Sequence, residues 1–154
     1  MTLNNKWHKR FLNVAYEAAS WSKDTSTKVG ALIIGADKKP KSFGYNGMPR
    51  DVDDDVPERH ERPAKYLYFE HAERNAIYNA DVPLDGCTIY ITHFPCADCA
   101  RAIIQKRIST VVIDAKNNDR ENEGLAERFA AQWAAADVMF AEAGVQVVEV
   151  DFDE

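Results

Sequence analysis

The chain has 154 residues, 45% hydrophobic and 29% charged, with a formal net charge of −6. That length and balance fit one soluble domain around a single core, and no apolar stretch approaches the roughly 20 residues of a membrane span. The acidity disfavours a nucleic-acid polymer as main partner, since such partners select a basic face, and an odd count of three cysteines is poor material for a disulfide framework.

The N-terminus, Met1 to Arg10, is polar and lacks the apolar core of a secretory signal, so a cytoplasmic protein is expected. Asn4 or Asn5 to Ser22 reads as a helix, with Trp7, Phe11, Leu12, Val14, Ala15, Ala18 and Ala19 at helical spacing. Val29 to Ile34 is short, apolar and rich in β-branched residues, hence a strand. Ala36 to Pro40 is turn material and Lys41 to Tyr45 the returning strand of a hairpin. Asn46 to Ala64 has no period, and a loop that long in a small domain is usually functional or mobile. Helices are expected at Phe69 to Ala80 and Cys96 to Lys106, and strands at Cys87 to Thr92 and Thr110 to Asp114. After a polar connection from Lys116, an alanine-rich helix runs from Glu123 to Ala143, closed by Gly144, and Val145 to Val150 is a last strand. A hairpin followed by alternating helices and strands predicts an α/β sandwich with a mixed, mostly parallel sheet.

Two segments carry chemistry, His71-Ala72-Glu73 and Pro95-Cys96-Ala97-Asp98-Cys99. One imidazole and two thiolates suit a tetrahedral Zn2+ with its fourth position open for water, the mark of a catalytic site. Zinc brings the pKa of such a water towards neutrality, and Glu73 is placed to shuttle its protons. Cys96 and Cys99 lie one turn apart in the first turn of their predicted helix, where the dipole and free amides favour thiolates; Pro95 stands where a missing N–H costs little. A lone C-x-x-C is more often a redox pair or chance, and a lone H-x-E a surface feature. Together, each opening a predicted helix, they favour zinc. Cys87 reads as a buried strand residue, His8 and His60 as surface residues, and His93 as packing or solvent rather than substrate contact.

The paired motifs resemble the H-x-E…P-C-x-x-C signature of zinc deaminases acting on nucleobases. Adding Gly44-Tyr45-Asn46-Gly47-Met48-Pro49-Arg50, the segment from about Trp7 to Asp114 resembles the deoxycytidylate (dCMP) deaminases. The resemblance implies a three-layer α/β/α cytidine-deaminase-like sandwich with a mixed five-stranded sheet, and hydrolysis of dCMP to dUMP and ammonia. It implies Zn2+ on His71, Cys96 and Cys99, with Glu73 as the proton shuttle. Asn46 would bond the sugar 3′-hydroxyl, and the main chain at Ala72 and Pro95 the base edge. The block around Gly44, Tyr45 and Gly47 would belong to a dCTP/dTTP effector site, with Mg2+ on Asp51 and Asp53 to Asp55 as a weaker expectation than a solvated acidic loop. The assembly would be a homo-oligomer, commonly a hexamer, acting on a free nucleotide. Candidate phosphate or effector cations are Arg50, Arg59, Arg62, Lys65, Lys116 and Arg120. Lys116-Asn117-Asn118-Asp119 stands where many relatives carry a base-stacking Tyr, so stacking is expected from Phe94 or Tyr66; Phe129, Trp133, Met139 and Phe140 of the last helix read as core or subunit packing. Another deaminase on this scaffold, or a non-catalytic zinc nucleotide sensor, remains an alternative; an intact Glu73 weighs against the sensor.

Overall fold

A computed structural model of the chain describes residues 5–153; the proposed helix start at Asn4 lies outside them. Helix α1 spans Asn5–Ala19. The hairpin β1 (Gly30–Ile34) and β2 (Pro40–Tyr45) follows, then a long loop with a 3-10 turn at Pro57–His60. A one-turn helix α2 (Lys65–Tyr68) leads to α3 (Ala72–Asn79) and β3 (Thr88–Ile91). The chain closes with α4 (Ala97–Gln105), β4 (Thr110–Asp114), a 3-10 turn at Ala115–Asn118, α5 (Glu123–Ala143) and β5 (Gln146–Val150).

The five strands lie in the order β2-β1-β3-β4-β5. The pairings β1–β2 and β1–β3 are antiparallel, and β3–β4 and β4–β5 parallel. The sheet is thus mixed as expected, but evenly split rather than mostly parallel. Period-2 alternation divides it into two apolar faces. Ile33, Ile89, Ile91, Val111 and Ile113 pack with residues of α3, α4 and α5. Leu32, Ile34, Tyr90 and Val112 pack against Leu12 and Ala15 of α1. The layers are therefore α1, sheet, and α3 to α5. Among the described residues no helix is long and apolar enough to cross a membrane.

The differences from the sequence reading have local causes. The helix expected from Phe69 starts at Ala72, with His71 in extended backbone at φ −84° and ψ 151° as its N-cap. The reason lies one residue earlier. Glu70 forms an isolated bridge with Gly47, with N–H···O distances of 2.7 and 3.1 Å, and this pairing needs extended backbone. Cys96 likewise caps α4 rather than entering it. His8 is buried, not at the surface, because the inner face of α1 carries it to Tyr90, whose hydroxyl lies 2.9 Å from Nδ1. The close of α5 is as expected: Gly144 is left-handed at φ 76°.

Gly44 sets how closely α3 approaches the sheet. A Cβ there would stand 2.4 Å from the Ala76 nitrogen and 2.7 Å from the Ala72 oxygen. Only glycine lets the strand and the helix backbone meet. The contact is then stitched by α3 side chains: Asn75 and Asn79 donate to the Tyr45 and Phe43 carbonyls at 2.9 and 3.0 Å, which covers carbonyls of edge strand β2. Gly44→Ala is expected to cost at least about 2 kcal/mol, since the obstacle is backbone that cannot rotate away. Denaturant unfolding checks it; an unchanged midpoint would contradict the packing account.

Candidate active site

Residues 71 and 96, 25 apart in sequence, are each the last extended residue before a helix. The two helix starts face one another. His71 Nδ1 lies 3.5 Å from Cys96 Sγ and 3.4 Å from Cys99 Sγ. The three donor atoms fall within 4.8 Å of one another. A tetrahedron with ordinary Zn–S and Zn–N bonds has an S···N edge of about 3.6 Å, so the spacing fits a single zinc ion. The backbone N–H of Cys99 points to Cys96 Sγ at 3.5 Å, an N-terminal amide supporting charge on that sulfur.

The thiols are coupled. The Cys96 thiol is lowered to about 4 by its hydrogen bond with the Cys99 side chain, against burial and with help from His71. Cys99 is pushed up, chiefly by the same bond and by burial. His71 is raised, first by its bond with Cys96. A cation among these atoms ionises a coordinating thiol outright. Glu73, on the first turn of α3, is 4% exposed. Burial pushes its carboxyl up, opposed mainly by the charge of His71. A buried carboxyl beside these donors is positioned to take and return a proton.

His71, Glu73 and Cys96 border a cavity of about 380 Å³, within the range of small-molecule sites. Asn46 lines it and is 9% exposed. Its Nδ2 donates to Asp24 Oδ2 at 3.1 Å and to the Thr27 carbonyl at 3.0 Å, while its Oδ1 accepts from the Val29 N–H at 2.8 Å. Both amide hydrogens are used, so Asn46 offers a ligand only one acceptor lone pair. Asp24 also accepts from Lys65 at 2.8 Å. Burial raises the Asp24 carboxyl, but hydrogen bonds from Lys65, Ser26 and Thr27 outweigh it and hold it below the usual carboxylate range.

The other sequence candidates scatter. Ala72 and Arg62 line the cavity; Pro95 is buried and outside its lining. Lys65 lines it too, but as the buried, paired residue just described rather than a loop cation. Arg59 donates to the Asp53 carbonyl at 2.9 Å and covers Tyr68, away from the cavity. Lys116 is exposed over Tyr16. Arg120 is tied to Asp137 and Asn118 and lies over Phe94 and Trp133. Arg50 and Gly47 border a second cavity of about 320 Å³, with Glu70 and with Asn75 and Asn79 of α3. Arg50 donates there to Asn79 at 2.9 Å. Tyr45 reaches that cavity and meets Trp21 edge-on at 6.1 Å. The Asp53, Asp54 and Asp55 carboxylates converge on the surface, but Lys23 already stands 3.0 Å from Asp54 and 3.9 Å from Asp55, and no Mg2+ is assigned to them.

Sequence reasoning missed one wall. Leu125, Arg128, Phe129, Gln132 and Trp133 of α5 all face the cavity. Of these, Phe129 and Trp133 were read as core or subunit packing, and the cavity they meet was not legible. Gln132 Oε1 accepts the backbone N–H of Ala97 at 2.7 Å, which fixes α5 against the first turn of the Cys96–Cys99 helix. Phe94 and Tyr66 are on the lining as expected for stacking, and His93, half-buried, lines it as well.

Comparison with known proteins points the same way. Residues 5–115 match the family model for the cytidine and deoxycytidylate deaminase zinc-binding region. The chain is 42% identical, over 97% of both chains, to an Aliivibrio fischeri protein described as an uncharacterized deaminase in the luxG 3′ region. It is 39% identical to the deoxycytidylate deaminase of Homo sapiens over 80% of this chain and 72% of that one. Its fold matches the cyanophage S-TIM5 dCMP deaminase solved with dCMP and dUMP, at a TM-score of 0.73 and 20% identity over 97% of this chain and all of the other.

If the His71, Cys96 and Cys99 donors hold one zinc ion, Cys96→Ala and Cys99→Ala will each lose it. Elemental analysis of purified protein should fall from one zinc per chain to well under half; full zinc in either variant would contradict the donor set.

Proposed function

The chain belongs to the cytidine and deoxycytidylate deaminase family, and on that premise we propose that it hydrolyses dCMP to dUMP and ammonia. The observation that carries the reading is Glu73, a buried carboxyl set beside the His71–Cys96–Cys99 donors on the wall of a nucleotide-sized cavity. His71, Cys96 and Cys99 would hold Zn2+, and the chemistry such an ion supplies is the acidification of water to near-neutral pKa.

The protein's own groups do the rest. Glu73 accepts the proton of the attacking water and delivers it to N3 of the cytosine ring, which makes C4 electrophilic. After attack at C4, Glu73 takes the proton of the new C4 hydroxyl and passes it to the departing amino group, so that ammonia leaves, the C4 carbonyl and N3–H of the uracil ring remain, and Glu73 ends as the carboxylate it began. Asn46, held with only its acceptor free, takes the hydrogen of the sugar 3′-hydroxyl. The Ala72 main chain meets the base edge, and Phe94 or Tyr66 covers its face. The relatives named deoxycytidylate deaminase, from Homo sapiens and from Mus musculus at 35% identity, support the choice of base and sugar.

Regulation by dCTP and dTTP belongs to the second cavity. It shares α3 with Glu73, and Gly44 couples that helix to β2. A homo-oligomer, a hexamer by family likeness, would use exposed aromatics such as Trp21 and Phe43 beside edge strand β2.

The test is ammonia release from dCMP, deoxycytidine, CMP and dCTP in parallel, by wild type and Glu73→Gln. The expected result is turnover favouring dCMP. The variant should keep zinc and fold but lose at least about 100-fold in kcat. Substantial activity in Glu73→Gln would refute the shuttle, and no turnover of dCMP by zinc-replete protein would refute the substrate.

A further inference from the structure

Three cationic side chains, Arg62, Lys65 and Arg128, line the cavity. The chain has a formal net charge of −6, yet the carboxylates on the cavity wall are already engaged. Asp24 is paired with Lys65 at 2.8 Å, and Glu73 belongs to the reacting machinery. Two arginines on the wall are different. Arg62 and Arg128 both line the cavity, and among the described residues neither has a carboxylate within ion-pair distance. Each guanidinium instead lies by an aromatic ring, Arg62 at 5.8 Å from the Tyr66 centroid and Arg128 at 5.1 Å from that of Phe129. A ring contact steadies the plane of a guanidinium and leaves its N–H fork free for a bidentate anion.

The contrast with the other cations is sharp in chemical terms. Arg120 is held by Asp137, Arg50 by Asn79 and Lys65 by Asp24. Each of these cations has a side-chain hydrogen-bond or ion-pair partner, which Arg62 and Arg128 lack among the described residues. Arg128 also stands on α5, beyond residues 5–115 that match the family model, so the family match assigns it nothing. A phosphate monoester carries between one and two negative charges at pH 7, which two free guanidiniums match.

We propose that Arg62 and Arg128 clamp the 5′-phosphate of the nucleotide from two walls of the cavity, and so set its preference for a monophosphate over a nucleoside. The inference rests on the deaminase reading above for the identity of the base. It adds a role for α5: the helix that supports the Cys96–Cys99 turn through Gln132 also supplies half of the phosphate site.

The test compares binding of dCMP and deoxycytidine by calorimetry, with turnover stopped by Glu73→Gln, in the Arg62→Gln, Arg128→Gln, Arg128→Lys and double-Gln forms. Both arginines are exposed, and thermal unfolding confirms that each form stays folded. Each Gln change should weaken dCMP binding by roughly 10- to 100-fold, the range of a hydrogen bond to a charged group. The preference over deoxycytidine should shrink by the same factor, and Arg128→Lys should restore part of it. Raised salt should weaken dCMP binding more than deoxycytidine binding before substitution, and about equally in the double form. A preference unchanged in the double form would overturn the clamp, as would equal losses for both ligands or no preference before substitution. Failure of the two readings is separable. No ammonia from dCMP, with a binding preference that collapses on substitution, sinks the reaction and keeps the clamp. Turnover of dCMP with the preference intact in the double form does the reverse.

Discussion

Two helices that begin at one point hold this structure to its chemistry. His71 and Cys96 are the caps of α3 and α4, and Cys99 lies within the first turn of α4. Helix starts offer partial positive charge and unpaired amides, which suits thiolates and a buried carboxyl but repels a bare cation. The donors reconcile the two. Sulfur and imidazole stand between the dipoles and the centre of the site, and the amide of Cys99 is turned onto Cys96. The position of α3 depends in turn on Gly44, which lets β2 touch its backbone, and on the Glu70–Gly47 bridge, which keeps His71 out of the helix. What reads in sequence as a glycine-rich turn motif thus has a packing task as well.

The cavity is built by elements distant in sequence, each fixed by a different force. The Asp24–Lys65–Asn46 cluster is a closed hydrogen-bond network in which the orientation of one amide is decided by its neighbours. Such a network is costly to leave half-satisfied, which makes it a rigid wall. The α5 wall is held by apolar packing, with Trp133, Ala136 and Phe140 in the core shared with the sheet, and by Gln132 on the α4 start. One wall specifies an acceptor for a hydroxyl and the other brings a free guanidinium.

How much of this was legible depended on the range of the interaction. β4 and α5 were read with their observed bounds, Thr110–Asp114 and Glu123–Ala143, because a short run of β-branched residues and a closing glycine are local signals. The mixed five-stranded sheet and the juxtaposition of residues 71, 96 and 99 were implied by the resemblance to zinc deaminases, and the structure has both. The start of α3 was misplaced because a bridge to Gly47, made across the fold, overrode its helical pattern. His8 was misread because a lone polar residue in an apolar stripe gives no sign of the Tyr90 hydroxyl waiting for it. Lys65 looked like loop charge for the same reason, its partner being 41 residues away. Arg128 carried no signal, since a charged residue on a long helix is ordinarily solvated.

The central claim is that two sulfurs and one imidazole surround a single ion and leave a place beside Glu73. X-ray absorption at the zinc edge of the purified, zinc-replete protein tests it most directly. The account predicts two sulfur neighbours at about 2.3 Å and two lighter neighbours at about 2.0 Å, one nitrogen from His71 and one oxygen from water. A shell with four protein ligands, or one without sulfur, would contradict it.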